Sequence, residues 1–175
     1  VLMQWWHEQN PKRRHLWPGN NSARIDPWPA KEIISQIDLT RQHPGATGNI
    51  HWNLSALFDN RKDIATKLQK GAYAQLALPP TSPWLDKHPP KSPAVNAKWN
   101  EAKQLIQVTW RETEKDTLRR WLFQMRVNGK WRARVVQSSQ RFISIRTTKT
   151  FPDAIAITAI DGGGNTSAPT VLGRK

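Results

Sequence analysis

Six of the chain's 13 prolines fall between residues 79 and 93, at Pro79, Pro80, Pro83, Pro89, Pro90 and Pro93. Proline donates no backbone hydrogen bond and fixes φ, so a stretch this dense can be neither a helix interior nor a central strand. The 175 residues are therefore expected to build two separate cores. Residues 79–93 would be a stiff linker, and the boundary would fall near residue 91, giving domains 1–90 and 91–175.

Before the prolines, helix and strand patterns alternate. Residues 1–9 (VLMQWWHEQ) read as the tail of a helix. His15 to Gly19 is a short apolar run stopped by Pro and Gly, a strand entering a turn. Pro29 suits the first turn of a helix whose apolar face is Ile33, Ile34 and Ile37, and His43-Pro44-Gly45 ends it. Gly48 to Leu54 reads as a second strand. Asn60 with Asp63 resembles a capping pair for a helix through Ile64, Leu68 and Ala72. This order implies parallel strands joined by crossovers. Two such units cannot cover both faces of a parallel sheet. The missing strands are expected upstream in a longer chain or on another polypeptide, and residues 1–90 alone should expose a large apolar surface. The chain opens on Val1 rather than Met, which we read as removal of preceding residues.

After the prolines the period changes. Leu105–Trp110, Trp121–Val127, Trp131–Val136, Phe142–Ile145 and Ala154–Ile160 alternate partly or fully, and Asn128-Gly129 is a hairpin signal of the type I′ kind. Five to seven strands without a helical pattern point to a β-sandwich.

Composition narrows the chemistry. No apolar run approaches the ~20 residues of a membrane helix, and no signal-peptide pattern opens the chain. With no Cys there is no disulfide and no thiolate metal site. The net charge of +14 is uneven: residues 1–90 carry 11 Lys+Arg against 7 Asp+Glu, and residues 91–175 carry 16 against 6. The second half should attract polyanions, whether nucleic acid, acidic lipid surface or acidic glycan, or else present a solvated basic face. Ten tryptophans stand out, and Trp17, Trp28, Trp52 and Trp84 sit beside Pro, Gly or Asn, where the chain turns. A ring in a turn can stack on a sugar or a base while its N–H donates a hydrogen bond. Equally, it can plug a core or staple a loop.

Two sets of residues carry a resemblance. Val127 to Trp131 and Ala154 to Pro169 (AIAITAIDGGGNTSAP) look like a fibronectin type III-like module, with a Gly-Asn-Ser-like turn before the last strand. In the first half, WWHEQN, RHLWPGN, WPAKEIISQIDLTR, GATGNIHWNLSAL and GAYAQLALPPTSPW together resemble the end of the glycoside-hydrolase-like family 10 barrel. That family includes bacterial envelope lipoproteins, among them a division-associated glycosidase acting on peptide-free peptidoglycan glycans. The resemblance implies the last two strand–helix units of a (β/α)8 TIM barrel followed by the sandwich. It also implies a cell-envelope or periplasmic location with a lipid anchor on an upstream segment, and a barrel completed by that segment or by a second chain. The lipoprotein cysteine and the other barrel strands are not in this sequence.

In such barrels the active site lies at the carboxyl ends of the strands. By that rule Trp17, Asn20 and Asn21 follow the penultimate strand and Trp52 and Asn53 end the last one. Asp26 and Trp28 occupy the loop on the same face, whereas Glu8 faces the opposite end. Trp17, Trp28 and Trp52 would stack on sugar rings, and Asn20, Asn21 and Asn53 would hydrogen-bond hydroxyl or acetamido groups. Each Asn is also a residue that tolerates turns. Glycoside hydrolysis needs two carboxyl groups flanking the bond. Asp26 is the one carboxylate on the expected face before a helix starts, and it suits a loop brace as well as a substrate contact. The catalytic pair is accordingly expected upstream, and this chain would supply substrate walls.

The five histidines make no metal-ligand or metalloprotease spacing. Because His51 alternates with Trp52, one of the two points to the barrel interior, and His51 is expected to be the buried, hydrogen-bonded one. Ser22 and Ser55 lack a nucleophile elbow, and no nucleotide loop is present, so no cofactor or metal is expected. Three functions stand in order: part of an envelope glycosidase acting on peptidoglycan glycan strands, a non-catalytic glycan- or envelope-binding module, and a nucleic-acid binder. Arg119, Arg120, Arg126, Arg132 and Arg134, clustered across one hairpin, favour the third, but no nucleic-acid-binding motif accompanies them.

Overall fold

A computed structural model describes residues 2–114, 118–147 and 150–174. Val1, the first residue of the expected N-terminal helix, lies outside them; the rest of that segment forms helix α1, Leu2–Glu8. Two compact units divide the chain, at 1–77 and 78–175.

In the first unit the longest element is helix α2, Ala30–Gln42. Pro29 stands one residue before it in extended conformation, as its N-cap residue, and His43 closes it. Ile33 and Ile37, four residues apart and so on one face, are fully buried. They pack with Ile25, Ala56, Ile64 and Leu68 into one core, with Trp28, Ile34, Leu57 and Ala72 at its margin. Strand β1 (Gly19–Asn20) precedes α2, and strand β2 (Ile50–His51) follows it. The two pair in parallel, Gly19 opposite Ile50 and Asn20 opposite His51, and a further parallel bridge joins Leu16 to Ala46. After β2 come helix α3 (Ser55–Phe58), a 3-10 turn at Arg61–Asp63, and helix α4 (Ile64–Lys70), which carries the expected Ile64 and Leu68 but ends before Ala72. The expected Asn60–Asp63 cap does not form. Asn60 is left-handed, and its amide oxygen instead accepts from the Thr66 N–H while its Nδ2 donates to Thr66 Oγ1.

The alternation of helix with parallel strand is thus as expected. Among the described residues the sheet holds two strands and does not close into a barrel. Only its helix side is finished. Ile50 is 51% exposed and Trp52 71%, with Phe58, Leu54 and Trp17 also exposed.

The second unit is a β-sandwich. Strands β3 (Ala94–Asn100), β4 (Leu105–Arg111) and β7 (Phe142–Arg146) form one antiparallel sheet in the order β3-β4-β7. Strands β5 (Leu118–Val127), β6 (Lys130–Gln137), β8 (Ala154–Asp161) and β9 (Thr170–Gly173) form the other, in the order β6-β5-β8-β9. The β5–β6 hairpin turns through Asn128 and Gly129, both at positive φ, as a type I′ turn requires. Strands β3 and β9 escape the sequence pattern because each alternates only between half-buried and exposed positions. The core is Ile106, Val108, Trp110, Trp121, Phe123, Ile143, Ile155 and Ile157. Trp121 is fully buried, and its Nε1 donates to the Ser138 carbonyl at 3.2 Å.

The domain boundary needs correction. Residues 78–93 belong to the sandwich rather than to a free linker. The Ser82 N–H donates to the Gly163 carbonyl at 2.7 Å, and Asn165 Nδ2 donates to the Asp86 carbonyl. The turn that receives this strap is built on Asp161, 4% exposed, which accepts from the Gly163 and Asn165 N–H groups, both at 2.8 Å, and from Asn165 Nδ2 at 2.9 Å. At Gly164, φ is +81°, and a Cβ would stand 2.8 Å from the Pro80 carbonyl oxygen, so the close approach of the strap requires glycine there. Proline-rich backbone with few donors can still be held through its carbonyls and the few N–H groups between the rings, which the proline count alone does not reveal.

Candidate functional site

The carboxyl ends of β1 and β2 meet through two backbone bonds: the Trp52 N–H donates to the Asn20 carbonyl at 2.8 Å, and the Ala23 N–H donates to the Trp52 carbonyl at 3.0 Å. This pins Trp52 beside the 3-10 turn Ser22–Ile25 that follows β1. The Trp52–Asn53 peptide is cis. The Trp52 ring stands free on the surface, 71% exposed. Asn53 is exposed, and its Oδ1 accepts from both the N–H and the hydroxyl of Ser55, so it organises the start of α3. Asn21 is exposed, and its side chain makes no capping bond. Asn21, Trp52 and Asn53 are therefore brought together at one end of the sheet, as the sequence suggested.

The other four expected residues lie differently. Trp17 does not follow the strand. It sits two residues before β1, its Nε1 donates to Thr47 Oγ1 at 2.8 Å, and its ring stacks on His15 at 5.7 Å. Thr47 lies five residues before Trp52, so at about 3.3 Å per residue the two tryptophans occupy opposite ends of the pair. The reason is register: pairing starts at the Leu16–Ala46 bridge and runs on through the expected Pro-Gly stop to Asn20, so Trp17 lies near its beginning. Asn20 is 2% exposed, with Nδ2 donating to Gln36 Oε1 of α2 at 3.2 Å. Its Oδ1 has no donor among the described residues. Alternation along β1 turns it to the helix side, away from the open face.

Asp26 is a brace. Its carboxylate meets Arg61 Nη1 at 3.1 Å, Arg61 also holds Asp59 at 3.0 Å, and Lys62 Nζ donates to the carbonyls of Asp26 and Trp28 at 2.7 and 3.0 Å. The Asp59 hydrogen bond, then Asp26, hold the Arg61 pKa above its ordinary value. Trp28 is half-buried against the core, with the Arg24 guanidinium 5.6 Å above its ring. The loop 24–28 is thus tied to residues 59–62 through charge.

One network was invisible in the sequence. His51 faces the helix side with Nδ1 2.7 Å from Ser22 Oγ and Nε2 2.7 Å from the Tyr73 hydroxyl, which also accepts from Asn49 Nδ2 at 2.9 Å. Burial lowers the His51 pKa, so the ring is neutral at pH 7. Ser22 is 1% exposed. His51 matches its expectation as a hydrogen-bonded histidine. Tyr73, the chain's single tyrosine, gave no signal because its partner is 22 residues away. Among the described residues no group of three His, Cys, Asp or Glu side chains could hold a metal, and no helix is long and apolar enough to cross a membrane.

No protein-family model and no curated protein matches the chain significantly. Solved structures similar to it include domains d3–d4 of the rat CD45 extracellular region, at 12% identity and TM-score 0.41, covering 50% of this chain and 49% of that one. The FN3 domain of human collagen XX is similar at 16% identity and TM-score 0.40, covering 56% of this chain and all of that one. The FN5 domain of Drosophila Lar follows at 20% identity and TM-score 0.30, covering 48% and 95%. The strand order and register described above define the second unit as a fibronectin type III-like β-sandwich, one half of a chain of mixed α/β and β structure.

Proposed function

We propose that this chain is the C-terminal part of a cell-envelope glycoside hydrolase acting on peptide-free peptidoglycan glycan strands. Residues 1–77 would supply the last two strand–helix units of a (β/α)8 barrel, and the sandwich would be an accessory domain. The carrying observation is the parallel pair β1–β2 with Trp52 exposed at its carboxyl end. That end is where barrels of this kind hold substrate. Trp52 would stack on a sugar ring, while Asn21 and Asn53 Nδ2 would reach hydroxyl or acetamido groups.

Asp26 is committed to Arg61 and is not one of the catalytic pair in this reading. The carboxylates belong to the upstream segment, which also carries the lipid anchor. A denuded glycan strand bears a carboxylate on each muramic acid, and a chain of net charge +14 suits such a polyanion. The second reading is a glycan-binding module without catalysis. It is favoured by the engagement of both Asp26 and Asp59 with one arginine.

The test is binding and turnover on purified denuded glycan strands. This chain alone should bind without hydrolysis, and Trp52→Ala should weaken binding about fivefold, the equivalent of losing roughly 1 kcal/mol of ring contact. Joined to its upstream segment, it should cleave. Binding without cleavage by that longer protein selects the second reading, and no binding overturns both.

A further inference from the structure

The pairing of β6 with β5 places Arg132 opposite Met125 and Arg134 opposite Phe123. Phe123 belongs to the core and Met125 packs against it, so both arginines lie on the core side of an edge strand. Between β6 and the edge strand β7 a cavity of about 380 Å³ opens there. Phe123, Met125, Ala133 and Ile145 give it an apolar lining, and Arg132, Arg134 and Arg146 are its cations. The Arg134 guanidinium lies 5.2 Å from the Phe123 ring centre.

Arg132 and Arg134 are two residues apart on one face, roughly 7 Å along the strand. Beside an apolar wall their mutual repulsion is less screened than in open water. The carboxylates among the described residues near this sheet are engaged elsewhere. Glu101 pairs with Arg174, Glu112 with Arg141, Glu114 with Lys91 and Asp153 with Arg126, while Asp161 holds the strap turn. Among the described residues no carboxylate pairs with Arg132, Arg134 or Arg146. A site with an apolar lining and uncompensated guanidinium groups is complementary to a ligand with the opposite layout. The volume falls in the range of small-ligand pockets, about 300–1,000 Å³.

We propose that this cleft binds a small amphiphilic anion: an apolar alkyl or aryl body seated on Phe123, Met125 and Ile145, with a carboxylate or phosphate held by Arg132, Arg134 and Arg146. The site is independent of the glycan reading, lies on the other unit and survives that reading's failure.

The experiment is titration of the isotope-labelled 175-residue chain with decanoate, decyl phosphate and decanol, read by amide chemical shifts. Saturable shifts centred on residues 123–125, 132–134 and 144–146, with decanol at least tenfold weaker than the anions, are expected. The two anions distinguish carboxylate from phosphate as the preferred head. Arg132→Gln/Arg134→Gln should weaken decanoate tenfold or more, since a hydrogen bond to a charged group is worth about 1.5–3 kcal/mol. Arg146→Gln should act in the same direction, and Lys98→Gln, on β3 of the other sheet, should not. Because these arginines are exposed, the variants should keep the wild-type spectrum outside the cleft. Shifts scattered over the surface, equal affinity for decanol, or equal loss in Lys98→Gln would overturn the proposal.

Discussion

The two units solve the burial problem differently. In the sandwich, two sheets cover one another, and the largest side chain of the core, Trp121, is completely enclosed. In the first unit, α2 packs on one side of a two-stranded parallel sheet, its own core is shared with α3 and α4, and Ile50 and Trp52 stay in solvent. An antiparallel sandwich needs only hairpins and short returns to finish itself. A parallel pair needs neighbours that its own short connections cannot provide. Adjacent stretches of one chain can therefore differ in self-sufficiency, with the same amino acid enclosed in one and displayed in the other.

The harshest way to break this comparison is to separate the halves. Residues 78–175 should sediment as a monomer and melt in one cooperative transition, whereas residues 1–77 should self-associate. A monomeric, cooperatively melting 1–77 would mean that its exposed apolar face needs no partner. Next in size, Trp121→Ala should cost the sandwich about 3–5 kcal/mol in urea unfolding. Trp52→Ala should change stability by less than about 0.5 kcal/mol, and equal costs would erase the contrast between core and display. Asp161→Ala removes the acceptor of three hydrogen bonds and should cost about 2–3 kcal/mol. It should also make residues 78–93 newly sensitive to proteases, and a strap that stays resistant would show that the prolines hold themselves.

The smallest expected effect concerns pH. Burial keeps the folded His51 pKa below the ordinary value near 6.5. As pH falls through 6.5 the unfolded chain takes up its proton first. The His51 contribution is therefore intact above pH 6.5 and is lost between that pH and the lowered folded value. His51→Gln should flatten the dependence of first-unit stability on pH between 5 and 7. An unchanged slope would assign it to other groups.

Elements with a one-sided pattern were legible in the amino-acid order itself. The Ile33–Ile37 spacing marked α2, alternation marked five sandwich strands, and Asn128-Gly129 marked the hairpin. The weakly patterned edges, β3 and β9, were not legible, because half-buried strands carry little contrast between faces. The strap was misplaced for a related reason: its attachment uses the Ser82 N–H and the Asp86 carbonyl, which leave no trace in side-chain pattern. In the candidate site, Asn21, Trp52 and Asn53 were placed by strand order together with the barrel rule for strand ends. Trp17 and Asn20 depended on the starting point and phase of β1, and a small error in either moves a side chain along the sheet or to its other face. Asp26 depended on Arg61, a partner 35 residues away.

The inward-facing arginines of β6 have a consequence for the molecule's behaviour in company. An edge strand presents a row of unpaired backbone groups that another strand can join, copy upon copy. Any neighbour docking on β6 in register would extend the sheet past its partner layer and trap Arg132 and Arg134 between charged copies of themselves. The pair therefore disfavours edge-to-edge association, and replacing both with valine should let two copies pair through β6.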